Sequence, residues 1–209
     1  MSDALASNFQ LLRVRIESDV KLSSVILVTS ALPNDGKSLL AFGLAEVLAR
    51  VGHRTALIDT TAPHDDRDGR VPEAIPRAFP VLALSVDGSG SAASREAIDN
   101  AVDQLRADYD YAIIDAPPLT TNGTSMVLAG SVDAVLVAVR HGRTPSDADK
   151  IMVHTLRQLK AKVLGVIASA PESIADFEKR RERCPTGPAR SVVVEPRVDD
   201  VPTSALFAR

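Results

Sequence analysis

Cysteine is almost missing from this chain of 209 residues: Cys184 stands alone, so no internal disulfide can form. It lies in a polar, arginine-rich stretch with no other expected metal ligand beside it, which points to a reducing, cytoplasmic setting. Long apolar runs are missing too, none approaching the ~18 residues of a membrane span. The first fifteen residues interleave polar side chains where a signal peptide would be uniformly apolar, so membrane contact is expected only through a partner. Neither charge dominates. Twenty-four basic residues against 27 acidic ones leave a net charge of −3, which supplies no general attraction to nucleic acid or anionic lipid. Tyrosine is scarce, with only Tyr109 and Tyr111.

What is present is the composition of one globular domain. Hydrophobic residues make up 45% and charged residues 24%, enough to build a core and stay in solution, at a length that fits a single domain. Leu5, Phe9, Leu12 and Ile16 recur at four, three and four residues, which predicts an amphipathic helix in residues 1–20. Short β-branched runs then alternate with helical patterns. Strands are expected at 25–29, 55–59, 81–86, 111–115, 134–140 and 163–168, and helices at 38–51, 94–106 and 146–160. Strands apolar on both faces and separated by helices predict an α/β fold, a mostly parallel sheet with helices on both sides. The loops after Thr29, Asp59, Asp115 and Arg140 would then meet at the carboxyl edge, where such sheets collect ligands.

Residues 60–77 mix proline with charge and 87–93 are rich in glycine and serine, so both read as loops. Residues 184–209 read as a proline-rich tail in which 192–194 can add a short edge strand, leaving 21–183 as the main domain. The basic run 179–183 reads as the solvated end of a helix, or as a contact for acidic lipid or a partner. His53, His141 and His154 are scattered and carry no assigned chemistry.

Residues 30–38 read Ser-Ala-Leu-Pro-Asn-Asp-Gly-Lys-Ser between a strand and a helix, the context that gives the phosphate-loop pattern a mechanism. Ala31 takes the first glycine position. Backbone N–H groups from Ala31 through Pro33, Asn34, Asp35, Gly36 and on to Leu39 mark the segment that would surround phosphate oxygens, proline contributing shape rather than a donor. Lys37 would reach the terminal phosphates of ATP, and Ser38 would ligate Mg2+ through its hydroxyl. Asp115 ends the apolar run 111–114 and is placed to hold the metal directly or through water; otherwise it caps the next turn. Asp59 ends its strand in the same way, as a metal ligand, a catalytic base or a turn former. Arg140, at the end of another core strand, joins the nucleotide-binding candidates.

Together these residues resemble the bacterial tyrosine kinases of capsule and exopolysaccharide synthesis, within the broader group of cell-division and partition ATPases. The resemblance covers about residues 5–170. It rests on Thr29 to Ser38, where the family typically has Ser-Ala-x-Pro-x-Glu-Gly-Lys-Ser and this chain has Asp35 in the glutamate position; on Tyr109-Asp110-Tyr111 leading into Asp115-Ala116-Pro117-Pro118-Leu119; and on 137–140 with Thr144. It implies ATP and magnesium as ligands, a membrane chain-length regulator as partner and homo-oligomeric assembly.

The chain also departs from the family pattern. The second acidic motif, Asp-x-Asp-x-Arg, is here Asp59-Thr60-Thr61-Ala62-Pro63, with Asp65, Asp66 and Asp68 as the acids that follow. Of the N-terminal assembly pattern only Arg13 is matched, Ser169 stands where the family often has asparagine, and the tail holds no tyrosine. Partition ATPases carry an extra lysine five residues before the invariant one; here that position is Leu32. The expected function is an ATP-binding kinase-type domain. The alternatives are a nucleotide-gated regulator that transfers no phosphate and, by fold only, a partition ATPase.

Overall fold

The computed structural model describes residues 3–60, 70–72, 79–85, 92–182, 186–188 and 190–193. In chain order the elements are α1 (Asp3–Asp19), β1 (Ser24–Thr29), α2 (Lys37–Arg50), β2 (Thr55–Asp59), β3 (Arg70–Pro72), β4 (Val81–Ser85), α3 (Ala92–Asp108), β5 (Tyr111–Asp115), α4 (Gly123–Ser131), β6 (Ala134–Arg140), α5 (Asp147–Gln158), β7 (Val163–Ser169), α6 (Pro171–Glu182), β8 (Thr186–Pro188) and β9 (Arg190–Val193). Seven strands form one sheet in the order β7-β6-β1-β5-β2-β4-β9, every pairing parallel. This is the expected P-loop type α/β architecture with helices on both faces.

Strand alternation divides the core in two. Val25, Leu27, Ala56, Ile58, Ala112, Ile114, Val135 and Val137 pack under α3, α4 and α5. Ile26, Val28, Leu57, Tyr111, Ile113, Leu136 and Ala138 pack under α1 and α2. Both faces are covered, which is why the central strands are continuous apolar runs. The N-terminal helix seats Phe9 and Ile16 in the second core, with Leu5 and Leu12 at its border. Its hold on α2 is tight: a side chain at Gly43 would overlap the Phe9 ring.

Several elements differ from the sequence expectations. One helix, α4, has no counterpart among them, and α6 is anticipated only at its end, where the basic run 179–183 reads as the end of a helix. The nine-residue α4 starts on Gly-Thr-Ser and buries only Ser125, Leu128 and Ala129, too short a stripe to show a period. Asn122 caps it by accepting from the amide of Thr124. α6 opens with Pro171 and puts Glu172 in its first turn, a start signal that was overlooked; Phe177 packs on Phe42 of α2 with ring centroids 5.6 Å apart.

The stretch read as a loop from 60 to 77 contains β3, paired antiparallel with β8 in a two-stranded sheet; residues 61–69 and 73–78 lie outside the described set. The region read as a tail supplies β8, which is not among the expectations, and the edge strand β9, which is expected there at 192–194 and runs over 190–193, with Val192 pairing Leu84; residues 194–209 lie outside the described set. The segment 87–93 lies outside it up to residue 91, and α3 begins at Ala92. Among the described residues, no helix is long and apolar enough to cross a membrane.

Candidate functional site

β1 ends at Thr29 and α2 starts at Lys37, and the seven residues between them form a loop at the carboxyl edge of the central strand. Two left-handed residues shape it: Asn34 at φ 60° and Gly36 at φ 88°. Asparagine and glycine are the residues that tolerate this conformation. Gly36 has a second reason to lack a side chain, because a Cβ there would lie 2.9 Å from Cβ of Ser169 and 3.1 Å from Cδ1 of Ile174. Gly36 is also the N-cap of α2 and makes no side-chain cap, so the positive end of the helix dipole faces the loop, where an anion would be favoured.

The loop is tied to its neighbours. The Ser30 hydroxyl donates to the carbonyl of Leu32 at 2.6 Å, and the Leu119 amide donates to the carbonyl of Ser30 at 2.9 Å. The Thr120 hydroxyl donates to the carbonyl of Ala31 at 2.7 Å, and that of Thr29 to the carbonyl of Pro117 at 2.9 Å. Ala31, in the first glycine position, lies in the core beneath the loop. Pro33 and Asn34 are exposed, Ser38 is half-buried, and Lys37 is nearly buried at the start of its helix. Leu39 sends its side chain into the interior, so it can offer the site only its backbone.

Asp59 and Asp115 are register partners on adjacent strands, which brings their backbones to within about 5 Å. Asp115 also pairs with Val28, just before the loop. Side chains alternate along a strand, so Asp59 follows Leu57 and Asp115 follows Ile113 onto the face covered by α2. That is the helix whose first residues are Lys37 and Ser38. The Thr60 amide and hydroxyl donate to the Asp115 carbonyl at 3.1 and 2.9 Å, locking the two strand ends together.

This donor set fits a magnesium ion of the kind bound with phosphates, which takes one or two carboxylates and a hydroxyl and keeps several waters. Among the described residues, no group of three or more His, Cys, Asp or Glu side chains is placed to hold a metal ion by itself. Asp65, Asp66 and Asp68 lie outside the described residues. Arg140 is exposed at the end of β6, level with Ser169.

One residue of the site was missed. Arg143, in the turn after β6, donates from Nε to Oδ1 of Asp35 and from Nη2 to Oδ2, both at 3.1 Å. It also donates from Nη1 and Nη2 to Asp149 at 2.7 and 2.6 Å. Asp149 closes the capping box of α5 by accepting from the Ser146 amide at 2.7 Å. Hydrogen bonds from Arg143, then those from Ser146, hold the Asp149 carboxyl well below the ordinary aspartate value of 3.8, against the opposing effect of burial. A folded-state value lowered in this way gives stability that is present above the unfolded value and lost as pH falls through the folded one. Asp149→Asn is therefore expected to be less stable than the parent chain at pH 7, with the gap narrowing below about pH 4, read from urea midpoints at each pH.

Comparisons with known proteins bear on this site. No family model matches the chain. It is 31% identical over 199 residues to the succinoglycan biosynthesis transport protein ExoP of Rhizobium meliloti, covering 77% of this chain but only 25% of that protein. It is 23% identical over 195 residues to the tyrosine-protein kinase CpsD of Streptococcus agalactiae, covering 81% of this chain and 84% of the relative. Among solved structures, the kinase domain of Escherichia coli tyrosine kinase ETK superposes with a TM-score of 0.63 at 17% identity, over 79% of this chain and 75% of that one. The cell-division protein MinD of Aquifex aeolicus superposes with a TM-score of 0.55 at 18% identity, over 85% of each chain. At these identities the two superpositions speak to the fold alone.

Proposed function

We propose, for a chain whose relatives are bacterial tyrosine kinases of capsule and exopolysaccharide synthesis, that it binds ATP with magnesium at the loop between β1 and α2 and acts on that synthesis together with a membrane chain-length partner. The observation that carries this reading is the coincidence at one sheet edge of a loop shaped by Asn34 and Gly36, Lys37 and Ser38 at the helix start, and the register pair Asp59 and Asp115. The loop amides and Lys37 bind the phosphates, and Ser38 and Asp115 hold the metal. Magnesium, when bound, offsets charge on the phosphate oxygens. Asp59 is the residue placed to accept a proton from an attacking hydroxyl. A chain of this kind works in the cytoplasm, reaching the membrane through its partner.

Asp115→Asn is expected to weaken nucleotide binding about tenfold with magnesium present and far less in EDTA, because the carboxylate acts through the metal. Equal losses in both conditions would point to damage at the strand end instead.

A second reading has its own support. Thr61 stands where the kinase pattern has its second aspartate, Pro63 where it has arginine, and residues 184–209 contain no tyrosine. These features favour a nucleotide-gated regulator that transfers no phosphate. Incubation with labelled ATP, magnesium and the cytoplasmic segment of the candidate membrane partner separates the readings. Label on protein marks a kinase, retained intact ATP marks the regulator, and released phosphate marks a partition-type ATPase.

A further inference from the structure

Asp35 poses a problem that the nucleotide reading does not solve. Its side chain is 1% exposed, it sits between the two left-handed residues of the loop, and it precedes Lys37 by two positions. A carboxylate so placed opposes the approach of a polyanion, and burying it without a counter-charge is unfavourable in itself. The counter-charge comes from 108 residues away: the Arg143 guanidinium, whose side chain is 8% exposed, meets both Asp35 oxygens side-on.

We propose that Arg143 is a positioning residue for the phosphate loop, cancelling the Asp35 charge and clamping the loop to the start of α5 in the shape that receives phosphates. This rests on the nucleotide reading and adds to it a residue that acts through the loop.

The clamp is rigid because every part of it is anchored. The adjacent, end-on edge of the guanidinium, which shares Nη2, is taken by both oxygens of Asp149, and Nη1 reaches the Thr144 carbonyl at 3.3 Å. Asp149 is fixed in turn by the Ser146 amide and hydroxyl at 2.7 and 2.8 Å. The turn that presents Arg143 passes through Gly142 at φ 77°, and the Arg143 amide donates back to the carbonyl of Arg140 at 3.3 Å. On another side, Gly36 abuts Ser169 and Ile174. The loop is thus braced both by the turn after β6 and by the junction of β7 with α6. A planar two-edged fork is required here, and lysine, a point charge on a flexible stem, cannot serve both carboxylates in the same geometry.

The test is a double-mutant cycle on the full chain, reading Mg·ATP affinity by calorimetry and the melting temperature without nucleotide. Arg143→Gln is expected to weaken Mg·ATP binding about tenfold when Asp35 is present, and by no more than about twofold in an Asp35→Asn background, since the group it neutralises is then gone. Arg143→Lys should fall between, keeping charge but losing the fork. A merely structural role predicts that Arg143→Gln lowers the melting temperature and costs the same affinity in both backgrounds. That result, or wild-type affinity in Arg143→Gln, overturns the inference while leaving ATP binding intact. If Arg143→Gln does not fold beside a native Asp35, the decision passes to Arg143→Lys, where undiminished affinity overturns it. Absence of Mg·ATP binding by the wild-type chain removes the nucleotide reading itself, and the inference with it.

Discussion

Lys37→Met is expected to weaken ATP binding at least about a hundredfold while leaving the fold intact. Removing one partner of a desolvated, hydrogen-bonded charge pair costs roughly 2–5 kcal/mol, and each 1.4 kcal/mol is a factor of ten. Lys37 is the first residue of α2 and nearly buried, so under the proposed reading its ammonium would meet a phosphate shielded from bulk water. Methionine keeps the unbranched stem and removes the charge. A side chain of similar length fills the same space, so the chain is expected to stay folded without nucleotide, read as a cooperative melting transition. Unchanged affinity by calorimetry would sink the assignment of this loop as the phosphate site.

No phosphotyrosine is expected on the purified chain after incubation with ATP and magnesium. The chain has two tyrosines, Tyr109 and Tyr111. Tyr111 is 2% exposed and lies at the amino end of β5, paired on one side with Ser24 and on the other with Thr55. Its ring packs edge-on against His53 with centroids 5.1 Å apart, and burial pushes its hydroxyl pKa above the ordinary value. Tyr109 is half-buried against the core formed with α3 and α4.

Reach also counts against transfer. Asp115 marks the carboxyl end of the same strand, where the proposed nucleotide site lies, four residues and therefore about 13 Å from Tyr111, with the sheet between them intact. Presenting Tyr111 to the nucleotide requires unpairing a central strand, an opening comparable to global unfolding at roughly 5–15 kcal/mol. Any acceptor hydroxyl of tyrosine must then belong to another chain. Mass spectrometry that finds substantial phosphate on Tyr109 or Tyr111 would overturn the burial argument and the regulator reading together.

Much of this was legible because the relevant signals are local. β1, β2, β5 and β6 are short apolar runs closed by polar or charged residues, and strands buried on both faces leave that mark. The loop between β1 and α2 is legible through residue types that its backbone requires, Asn34 and Gly36 at positive φ. β7 was expected to be apolar on both faces because its composition is, yet as the edge strand it leaves Val163 and Val166 exposed; composition does not report position within a sheet.

Other features escaped because they depend on distant contacts. Arg143 meets Asp35 across 108 residues, and no periodicity or spacing links them. A usable signal existed, since an acidic residue inside a loop meant for an anion needs a cation nearby, and the turn after β6 opens on the same edge. α4 was hidden by its Gly-Thr-Ser start, which reads as loop until Asn122 is seen capping it.

The central claim is that nucleotide phosphates rest on the loop between Thr29 and Lys37, and amide hydrogen exchange with and without Mg·ATP tests it most directly. Slowed exchange is predicted at the amides of residues 34–38 and at the first turn of α2, with the exposed outer face of α5 unchanged and the protection abolished by Lys37→Met. Binding of Mg·ATP with no added protection in that loop, or with protection confined to α5, would contradict the account.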